Sequence, residues 1–440
     1  MISLKLGARN LLRNRWRSAL TMGGVAVAVA LMLWTLSFYE GWIAEMVRGA
    51  TTMETGQVQV QTAGFAEEGR VYQAFEVDRG MLDRLEAVPS VQVASPRVLG
   101  AGLVGNERRS RVGRLLGVDP EREARATPVT DGLEQGRWLS AAARPVGEPR
   151  EAVLGTDLAR QLRVAPGDEL VVFLEASDGS LGNDLLEVVG TVRTGNSGLD
   201  RMAVWMHIED ARVLTALEGQ AHAVMLRTAD PDLARVTADS VLAALRPAYP
   251  DARIGAASEE ALESGEVDEG TLVVRPWQEM IPVIDQMITL TRRSYWIVYL
   301  VIYVVAAVGI LNTQRMSALE RRREFGVMMA VGVRPRRMFR MVQVETVVLA
   351  GAGALLGTLL GGALAWYHTA VGFDMAALTS EASFTYMGIS FSERMHFTLD
   401  ARILFQPALV MLFVALVSGL WPGVTAARID PASTISGRVG

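Results

Sequence analysis

The stretch that decides the fold of this 440-residue chain is Glu320-Arg321-Arg322-Arg323-Glu324-Phe325-Gly326-Val327-Met328-Met329-Ala330-Val331-Gly332-Val333. It lies between two long apolar runs, and charges this dense are excluded from hydrocarbon, so the segment must lie in water at a membrane face. Its excess of arginine indicates the cytoplasmic face. The stretch therefore predicts a membrane protein with a short, amphipathic helix in the cytosol, against which a separate protein can push.

Four segments without Asp, Glu, Lys or Arg are long enough to span a membrane, because a bilayer core of about 30 Å needs about 20 helical residues. They are 18–39, 294–314, 346–373 and 403–427. One charge buried at mid-membrane costs roughly 2.5–3.5 kcal/mol, so runs this clean indicate membrane helices. The predicted fold class is a membrane protein with four transmembrane α-helices, arranged one plus three, and a large α+β domain between helices 1 and 2.

The distribution of arginine predicts the orientation. Residues 1–17 carry basic side chains and no acid, and the loop 315–341 carries eight arginines against Glu320 and Glu324. Residues 41–294 hold 26 Arg against 39 Asp plus Glu, although Arg292 and Arg293 flank the second span on its outer side. Because the arginine excess marks cytoplasmic loops, both termini are predicted in the cytosol, with the large domain outside.

The predicted boundaries follow from the spans and this orientation. A cleaved signal peptide is the alternative for the start, since Ala26-Val27-Ala28 mimics a cleavage site, but the apolar stretch is too long and cleavage would fall inside it. The predicted segments are a cytoplasmic amphipathic helix at 1–17, spans at 18–40, 294–314, 343–367 and 403–425, an outer α+β domain at 41–293 with helical stalks at both ends, a cytoplasmic loop at 315–342, a short outer loop at 368–402 and a cytoplasmic tail at 426–440.

Composition excludes several kinds of chemistry. The chain has no cysteine, and Lys5 is the only lysine among 43 basic residues. A phosphate-binding loop needs G-x4-G-K-[ST], and Lys5 stands in Leu4-Lys5-Leu6, so a P-loop ATPase on this chain is excluded. The histidines lack any metal-ligand spacing, and no Gly-x-Ser-x-Gly elbow occurs; we predict no catalytic residue, no bound cofactor and no metal site. Positive-inside topology explains the arginines without nucleic-acid binding. The histidines are His207, His222, His368 and His396.

Residues 41–294 alternate strand and helix signals, as an α+β domain does. The strict alternation of 57–61 predicts a half-buried strand, and the acidic, glycine-broken run 258–270 is expected to be a mobile, solvated loop. Two subdomains are predicted, with an inserted portion from roughly 100 to 225. Apolar residues continue at helical spacing beyond the first span and before the second, which predicts paired stalk helices; the alternative is surface helices of the soluble domain. The stalk residues are Met46, Met53, Trp277, Ile281, Ile284 and Met287.

The third span carries Gly353, Gly357 and Gly361 at i, i+4 and i+8. Small residues on one face permit close helix approach in lipid. The stripe is a helix-packing surface, either within the chain, which we favour, or between two copies.

The sequence of the predicted cytoplasmic loop resembles the signature of a known protein family. Glu320-Arg321-x-Arg323-Glu324-Phe325-Gly326-x-Met328-Met329-Ala330-x-Gly332 is similar to the E-R-x-R-E-[IF]-G signature of the FtsX/MacB/Lol superfamily of ABC-transporter permeases (type VII). The tail Trp421-Pro422 through Ala426-Ala427-Arg428-Ile429-Asp430-Pro431-Ala432 resembles the closing motif of that family, and Arg9-Asn10, Arg13-Asn14 and Arg17 resemble its opening helix. Thr55–Val60 with Gly64-Phe65 resembles lipoprotein-releasing (LolC/LolE-type) permeases.

The resemblance implies a non-catalytic permease subunit with a MacB-like outer domain. Its implied partners are a cytoplasmic ABC ATPase dimer that carries ATP and Mg²⁺, a second permease copy (identical or paralogous), a periplasmic lipoprotein carrier or adaptor, and membrane lipid. ATPase closure would move the outer domain, and the implied role is extraction of lipoproteins from the inner membrane. Efflux of small molecules or peptides and control of cell-wall enzymes are the alternatives within the family. A membrane sensor or scaffold without an ATPase is the alternative outside it.

The coupling contact with the ATPase is predicted in the cytoplasmic loop. On a helix, Phe325, Met329 and Gly332 fall at i, i+4 and i+7, one face able to enter a groove on the partner. A helix that merely lies on lipid headgroups is the alternative, but it leaves two acids facing anionic lipid. The predicted interface is Glu320, Arg321, Arg323, Glu324, Phe325, Gly326, Met329 and Gly332.

Overall fold

A computed structural model describes residues 15–145, 147–374, 385–386, 389–390 and 394–429. The chain folds as two compact units. The membrane unit comprises the described residues up to Ala44, from Ile288 to 374, and from Arg394 onward; the sheet unit comprises Glu45–Met287 with the short ladder at 385–390. The amphipathic helix predicted at 1–17, most of the tail at 426–440 and much of the loop at 368–402 lie outside the described residues.

The helices, in chain order, include three long ones, Arg15–Ala50, Pro282–Glu320 and Pro335–Val371, that extend beyond the predicted spans. They are α1 Arg15–Ala50, followed by a π-helix Thr51–Thr55, then α2 Ala63–Glu68, α3 Arg79–Glu86, α4 Pro120–Ala126, α5 Thr156–Leu162, α6 Ser197–Met202, α7 Ile208–Thr215, α8 Ala234–Leu245, α9 Glu259–Glu263, α10 Trp277–Met280, α11 Pro282–Glu320, α12 Arg322–Ala330, α13 Pro335–Val371 and α14 Ala401–Ala427, with 3₁₀ turns at Val129–Gly132 and Pro231–Leu233.

The strands are β1 Val58–Thr62, β2 Phe75–Glu76, β3 Val91–Asn106, β4 Arg109–Val118, β5 Leu133–Gly136, β6 Arg150–Gly155, β7 Glu169–Glu175, β8 Leu181–Val192, β9 Ala203–His207, β10 Gln220–Ala221, β11 Ala223–Thr228, β12 Arg253–Ile254, β13 Leu272–Pro276, β14 Phe373–Asp374, β15 Thr385–Tyr386, β16 Ile389–Ser390 and β17 Arg394–Met395.

Within the described residues, four helices are long and apolar enough to cross a membrane: α1, α11, α13 and α14. A single apolar cluster draws on all four, with Val25 and Val29 of α1, Ile310 of α11, Ala350 of α13 and Met411 of α14 among its buried members. α1 has 36 residues and α11 has 39. At 1.5 Å per residue each exceeds 50 Å, well beyond the bilayer core of about 30 Å.

The glycine stripe packs within the chain. A Cβ at Gly353 would lie 2.8 Å from the Met22 carbonyl oxygen, and a Cβ at Gly361 would lie 2.7 Å from the Ala30 Cα. Gly357 is tighter still, since its Cβ would lie 2.5 Å from the Ala26 carbonyl oxygen. Backbone approach of this kind requires glycine, so the stripe sets the spacing between α13 and α1.

The predicted stalk is correct in part. Met46 lies on α1, Met53 lies in the π-helix, and Ile284 and Met287 lie on α11. The prediction of one continuous helix from Trp277 is wrong, because Ile281 leaves the helical region, with φ −129° and ψ 65°, and separates α10 from α11. Pro282 explains the break, since the residue before a proline is pushed out of the helical region while proline itself suits the first turn.

One 11-stranded sheet forms the framework of the sheet unit. Its order is β12-β13-β1-β11-β3-β4-β9-β6-β8-β5, and β7 pairs with β3 and β8. The predicted insertion at 100–225 corresponds to the strands from β4 to β9. The 16-residue β3 pairs with β4 along one edge, and along the other edge it pairs first with β11 and then with β7. The two parts therefore share a strand within one compact unit.

The segment 258–270 differs from its prediction as a solvated loop, because it contains α9. Ser258 caps this helix by accepting a hydrogen bond from the Ala261 amide at 3.2 Å. Ala261 and Leu262 pack on a small cluster that includes Val267. The acidic composition of the segment concealed a helix-capping serine and three apolar side chains that pack together.

Candidate functional site

The short helix α12 is held against the membrane unit by Phe325. The Phe325 side chain is only 1% exposed, and its cluster includes Ala318 of α11, Met338 and Val342 of α13, and Ala426 of α14. Three of the four candidate membrane helices therefore contribute residues that surround this one ring. Burying a Phe side chain stabilises the folded state by about 1.5–3 kcal/mol.

An ion pair fixes the start of α12. Arg321 stands between α11 and α12, and its guanidinium lies 2.8 Å from a Glu345 carboxylate oxygen of α13 and 3.2 Å from Glu324. The same guanidinium lies over the Phe325 ring, 5.1 Å from its centroid. Because the Arg321 and Glu345 side chains are largely buried, loss of either partner would leave an uncompensated charge. Arg321 and Glu324 are therefore positioning groups for α12.

The exposed face of α12 is different from the predicted one. Arg323 is exposed, and Val327 and Val331 are 49% and 83% exposed. Arg323 and Val327 lie at i and i+4 on α12, and Val331 is the C-cap residue directly after it, so the three form one outward surface of a positive and two apolar side chains. We call them the outer face of α12. A face of this kind, unpartnered within the described chain, has the composition of a helix-in-groove contact.

The prediction that Phe325, Met329 and Gly332 face a partner is therefore wrong for Phe325 and Met329. Both pack inward on the same cluster, and Gly326 is buried too. Gly332 ends the helix in the left-handed region at φ +98°, and its amide donates to the Met329 carbonyl at 3.0 Å. Helical periodicity correctly placed Phe325 and Met329 on one face, but the pattern does not say which face meets the chain itself. Glu320 is exposed at the end of α11.

A second cluster, which the sequence did not reveal, anchors the π-helix after α1 to the sheet. Arg97 of β3 and Glu123 of α4 form a buried ion pair at 2.6 Å, with side chains 4% and 1% exposed. Arg97 Nη1 donates to the Glu54 carbonyl at 2.5 Å, and Nη2, which also pairs with Glu123, donates to the Met53 carbonyl at 3.3 Å. Arg114 adds a short ion pair to the Glu54 carboxylate. Displacement of the π-helix would thus act directly on β3 and β4.

An apolar cleft lies between α1 and α11 within the membrane unit. Its volume is about 420 Å³, and none of the described residues that line it is charged. Some of its lining side chains are strongly exposed, from 49% at Leu31 to 77% at Leu20, whereas Val25 and Ile310 are buried. Gly309 also lines the cleft, and a Cβ there would meet no atom within 4 Å. The cleft has room for an apolar chain and offers it no ionic contact.

The described residues show a structural role for His222. Its Nδ1 accepts a hydrogen bond from the Leu99 amide at 2.9 Å, and its Nε2 lies 2.8 Å from the Val71 carbonyl oxygen. Burial lowers the pKa of His222, which keeps the ring neutral with its proton on Nε2. Within the part of the chain that the structure describes, no cluster of three or more His, Asp or Glu side chains has the arrangement of a metal site.

Two family models together match most of the chain. Residues 18–244 match the MacB-like periplasmic core domain, and residues 296–431, which include α12, match the FtsX-like permease C-terminal region.

Known relatives carry two different names. The chain is 23% identical over 439 residues to the lipoprotein-releasing system transmembrane protein LolC of Neisseria meningitidis serogroup B, with 96% of this chain and 95% of LolC covered. It is 25% identical over 449 residues to the macrolide export ATP-binding/permease protein MacB of Rhodospirillum rubrum, covering 99% of this chain but only 60% of that relative. A crystal structure of the periplasmic region of MacB from Actinobacillus actinomycetemcomitans matches 56% of this chain and 98% of that one, at 13% identity and a TM-score of 0.37. The chain belongs to the FtsX/MacB/LolC family of ABC-transporter permeases, with a MacB-like periplasmic core domain and an FtsX-like C-terminal region.

Proposed function

We propose that this permease transmits the work of a separate cytoplasmic ABC ATPase to its periplasmic domain, and that the work extracts lipoproteins from the inner membrane. The observation that carries the first part is the outer face of α12. Arg323, Val327 and Val331 are presented to solvent by a helix that the Phe325 cluster and the Arg321–Glu345 ion pair hold in place. A partner that moves α12 thereby acts on α11, α13 and α14 together.

The long helices support transmission across the membrane. α1 and α11 each run without interruption from the membrane unit into residues of the sheet unit. The end of the π-helix after α1 is bound by Arg97, a residue of the central strand β3. In this proposal, a movement of α1 is passed through the π-helix to Arg97 and β3. In this proposal both termini and α12 are cytoplasmic, and ATP and Mg²⁺ bind to the partner chain.

The α1–α11 cleft supports lipoprotein release. Lipid-anchored proteins are held by acyl chains, and burying acyl chains is worth about 0.8 kcal/mol per methylene. A cleft with apolar walls and no charge suits an acyl chain leaving the bilayer better than it suits a polar solute. The LolC relative, whose name describes lipoprotein release, aligns over nearly its full length.

A test of coupling uses the outer face of α12. The chain alone, free of contaminating ATPase, is expected to hydrolyse no ATP, and the reconstituted complex with its ABC ATPase to hydrolyse it. Val327→Asp with Val331→Asp should abolish ATPase binding without lowering the level of the chain in membranes. Val236→Asp is the matched control, because Val236 is 62% exposed on α8 of the sheet unit. Binding that survives the double substitution at full strength would refute this interface.

A test of the cargo uses Gly309. Gly309→Trp should fill the α1–α11 cleft and stop transfer of an acylated lipoprotein from proteoliposomes to a soluble acceptor, while ATP hydrolysis continues. Gly309→Ala should leave transfer unchanged, since its Cβ meets nothing within 4 Å. Efflux of small molecules is the second candidate, because a relative of similar identity is named for macrolide export. Unimpaired lipoprotein transfer together with loss of macrolide export in Gly309→Trp would favour that candidate instead.

A further inference from the structure

A second cavity in the membrane unit, of about 600 Å³, lies where α11 and α14 end beside α12. Three arginines line it: Arg315 near the end of α11, Arg322 at the start of α12 and Arg428 just after α14. Among the residues that the structure describes, no acidic side chain lines it. The cavity is therefore a strongly positive site within the size range of about 300–1,000 Å³ that small-molecule pockets occupy.

Topology alone does not explain this arrangement. The positive-inside rule asks only that arginines flank the spans on one side. Arg323, Arg336 and Arg340 satisfy the rule at the same end of the spans, yet none of them lines the cavity. Arg315, Arg322 and Arg428 come from three different helical segments, and none of the three has an ion-pair partner among the residues that the structure describes. Converging unpaired cations are costly by mutual repulsion unless an anion joins them.

An aromatic ring holds the first arginine in place. The Arg315 guanidinium lies over the Trp421 ring of α14, 5.4 Å from its centroid. A cation–π contact of this kind orients the guanidinium plane and leaves its edge free to donate two parallel hydrogen bonds to phosphate oxygens. Trp421 is 60% exposed, and tryptophan is the residue typical of the headgroup level of a membrane.

The remaining wall is apolar. Leu319 is 56% exposed and Val424 is 39% exposed, and Ile429 completes this side of the cavity. The cavity thus combines three arginine side chains with exposed aliphatic surface at the ends of the candidate membrane helices. A free inorganic anion would leave that aliphatic surface exposed to water. A lipid has an anionic headgroup for the arginines and acyl chains for the aliphatic surface.

We infer that this cavity binds the phosphodiester headgroup of an anionic membrane phospholipid, with Arg315, Arg322 and Arg428 as the phosphate ligands and Trp421 as the support of Arg315. Basic pockets between transmembrane helices take headgroups of this class, such as phosphatidylglycerol and cardiolipin. A bound lipid would tie the start of α12 to the ends of α11 and α14. The inference requires that these helices span a membrane and does not depend on the cargo or the ATPase partner.

The test measures lipid retention by the full chain in the absence of any ATPase. The chain is reconstituted in nanodiscs of phosphatidylethanolamine with or without cardiolipin and then extracted. Native mass spectrometry measures which lipids remain bound to it. The wild type should retain one cardiolipin and no phosphatidylethanolamine. Arg315→Gln, Arg322→Gln and Arg428→Gln together should lower the affinity on the order of 100-fold, since each cation contributes a factor of about five. The matched control is Arg336→Gln, Arg337→Gln and Arg340→Gln, three exposed arginines of α13 outside the cavity, which should retain the lipid.

Three further outcomes decide the source and the chemistry. The triple lysine variant at 315, 322 and 428 should recover a large part of the binding, because it restores the charge. Equal loss in the glutamine triple and its control would overturn the inference, as diffuse attraction would then explain the retention. Displacement of cardiolipin from the wild type by millimolar inorganic phosphate would identify a simple anion site and also overturn it. This competition uses wild-type protein, so it decides the question even if the glutamine triple does not fold.

Discussion

The close approach of α13 to α1 leads to a quantitative prediction at Gly357. A Cβ there would lie 2.5 Å from the Ala26 carbonyl oxygen and 2.8 Å from the Val29 Cβ. Neither atom belongs to a flexible side-chain end, so Gly357→Ala must push the helices apart by about 1 Å to reach ordinary contact. Overpacking of this size costs typically 1–3 kcal/mol.

Helix propensity opposes that cost and has to be removed from the comparison. Alanine is favoured over glycine in a helix interior by about 1 kcal/mol. Gly351 provides the control, because it lies on the same helix and its Cβ would make ordinary contact with the Leu412 side chain at 3.7 Å. The difference between Gly357→Ala and Gly351→Ala cancels the propensity term and should equal the packing cost, about 1–3 kcal/mol in favour of Gly351→Ala.

The assay is the unfolding midpoint of the purified chain in one detergent, by heat or by titration with a denaturing detergent. Equal stability of the two variants would show that the α1–α13 spacing is not set by the stripe. The midpoint of Gly357→Ala should also be independent of protein concentration. A deficit that disappears on dilution would refute the intrachain assignment and favour a contact between two copies.

Three other perturbations have defined outcomes. Phe325→Ala should destabilise the membrane unit by about 3–5 kcal/mol in the same unfolding assay, because the ring is fully buried, and a neutral result would contradict its placement. Ser317→Cys should resist an impermeant thiol reagent in intact cells and react after permeabilisation, whereas Ser240→Cys should react in intact cells; labelling of the first in intact cells would reverse the orientation. Burial of the Glu151 carboxyl tends to raise its pKa, but hydrogen bonds from Arg137 and Ser140 lower it to about 2. Because the folded pKa lies below the ordinary value of about 4.5, Glu151 contributes stability above pH 4.5 that is lost as pH falls toward 2, by about 1–3 kcal/mol, and Glu151→Gln should remove that slope in a pH series.

The candidate membrane helices were predictable because the free-energy cost of placing a charge in the bilayer depends only on the residues of the segment itself. A clean run such as 294–314 identifies a membrane helix wherever the rest of the chain lies. The glycine stripe was predictable as a packing surface for the same reason, but its partner α1 is more than 300 residues away in sequence, and no local pattern names it. Pro282 in the sequence indicates a helix break at Ile281. The prediction of a continuous stalk instead followed the helical spacing of the apolar residues on both sides of it.

The candidate site was predictable in position but not in orientation. Periodicity groups Phe325 with Met329, and the same periodicity groups Arg323 with Val327 and Val331. The sequence of an amphipathic helix does not tell which of its faces packs against the rest of the chain. Because α12 has apolar residues on both faces, only tertiary contacts decide which face is buried. The buried contacts of Arg97 could not be predicted from the sequence for a related reason. Its carboxylate partner Glu123 and the carbonyls that it binds come from separate elements.

The most direct test of the coupling mechanism is cross-linking from the outer face of α12. The sequence contains no cysteine, so a single cysteine carries a photoreactive maleimide without background. We expect Val331→Cys, in native membranes, to form an adduct with a chain that contains an ABC ATPase phosphate-binding loop, and the adduct yield to change when ATP and Mg²⁺ are added. Val213→Cys, 66% exposed on α7 of the sheet unit, should give no such adduct. If Val331→Cys joins only lipid, or yields the same adducts as Val213→Cys, then α12 does not contact an ATPase and the proposed coupling is contradicted.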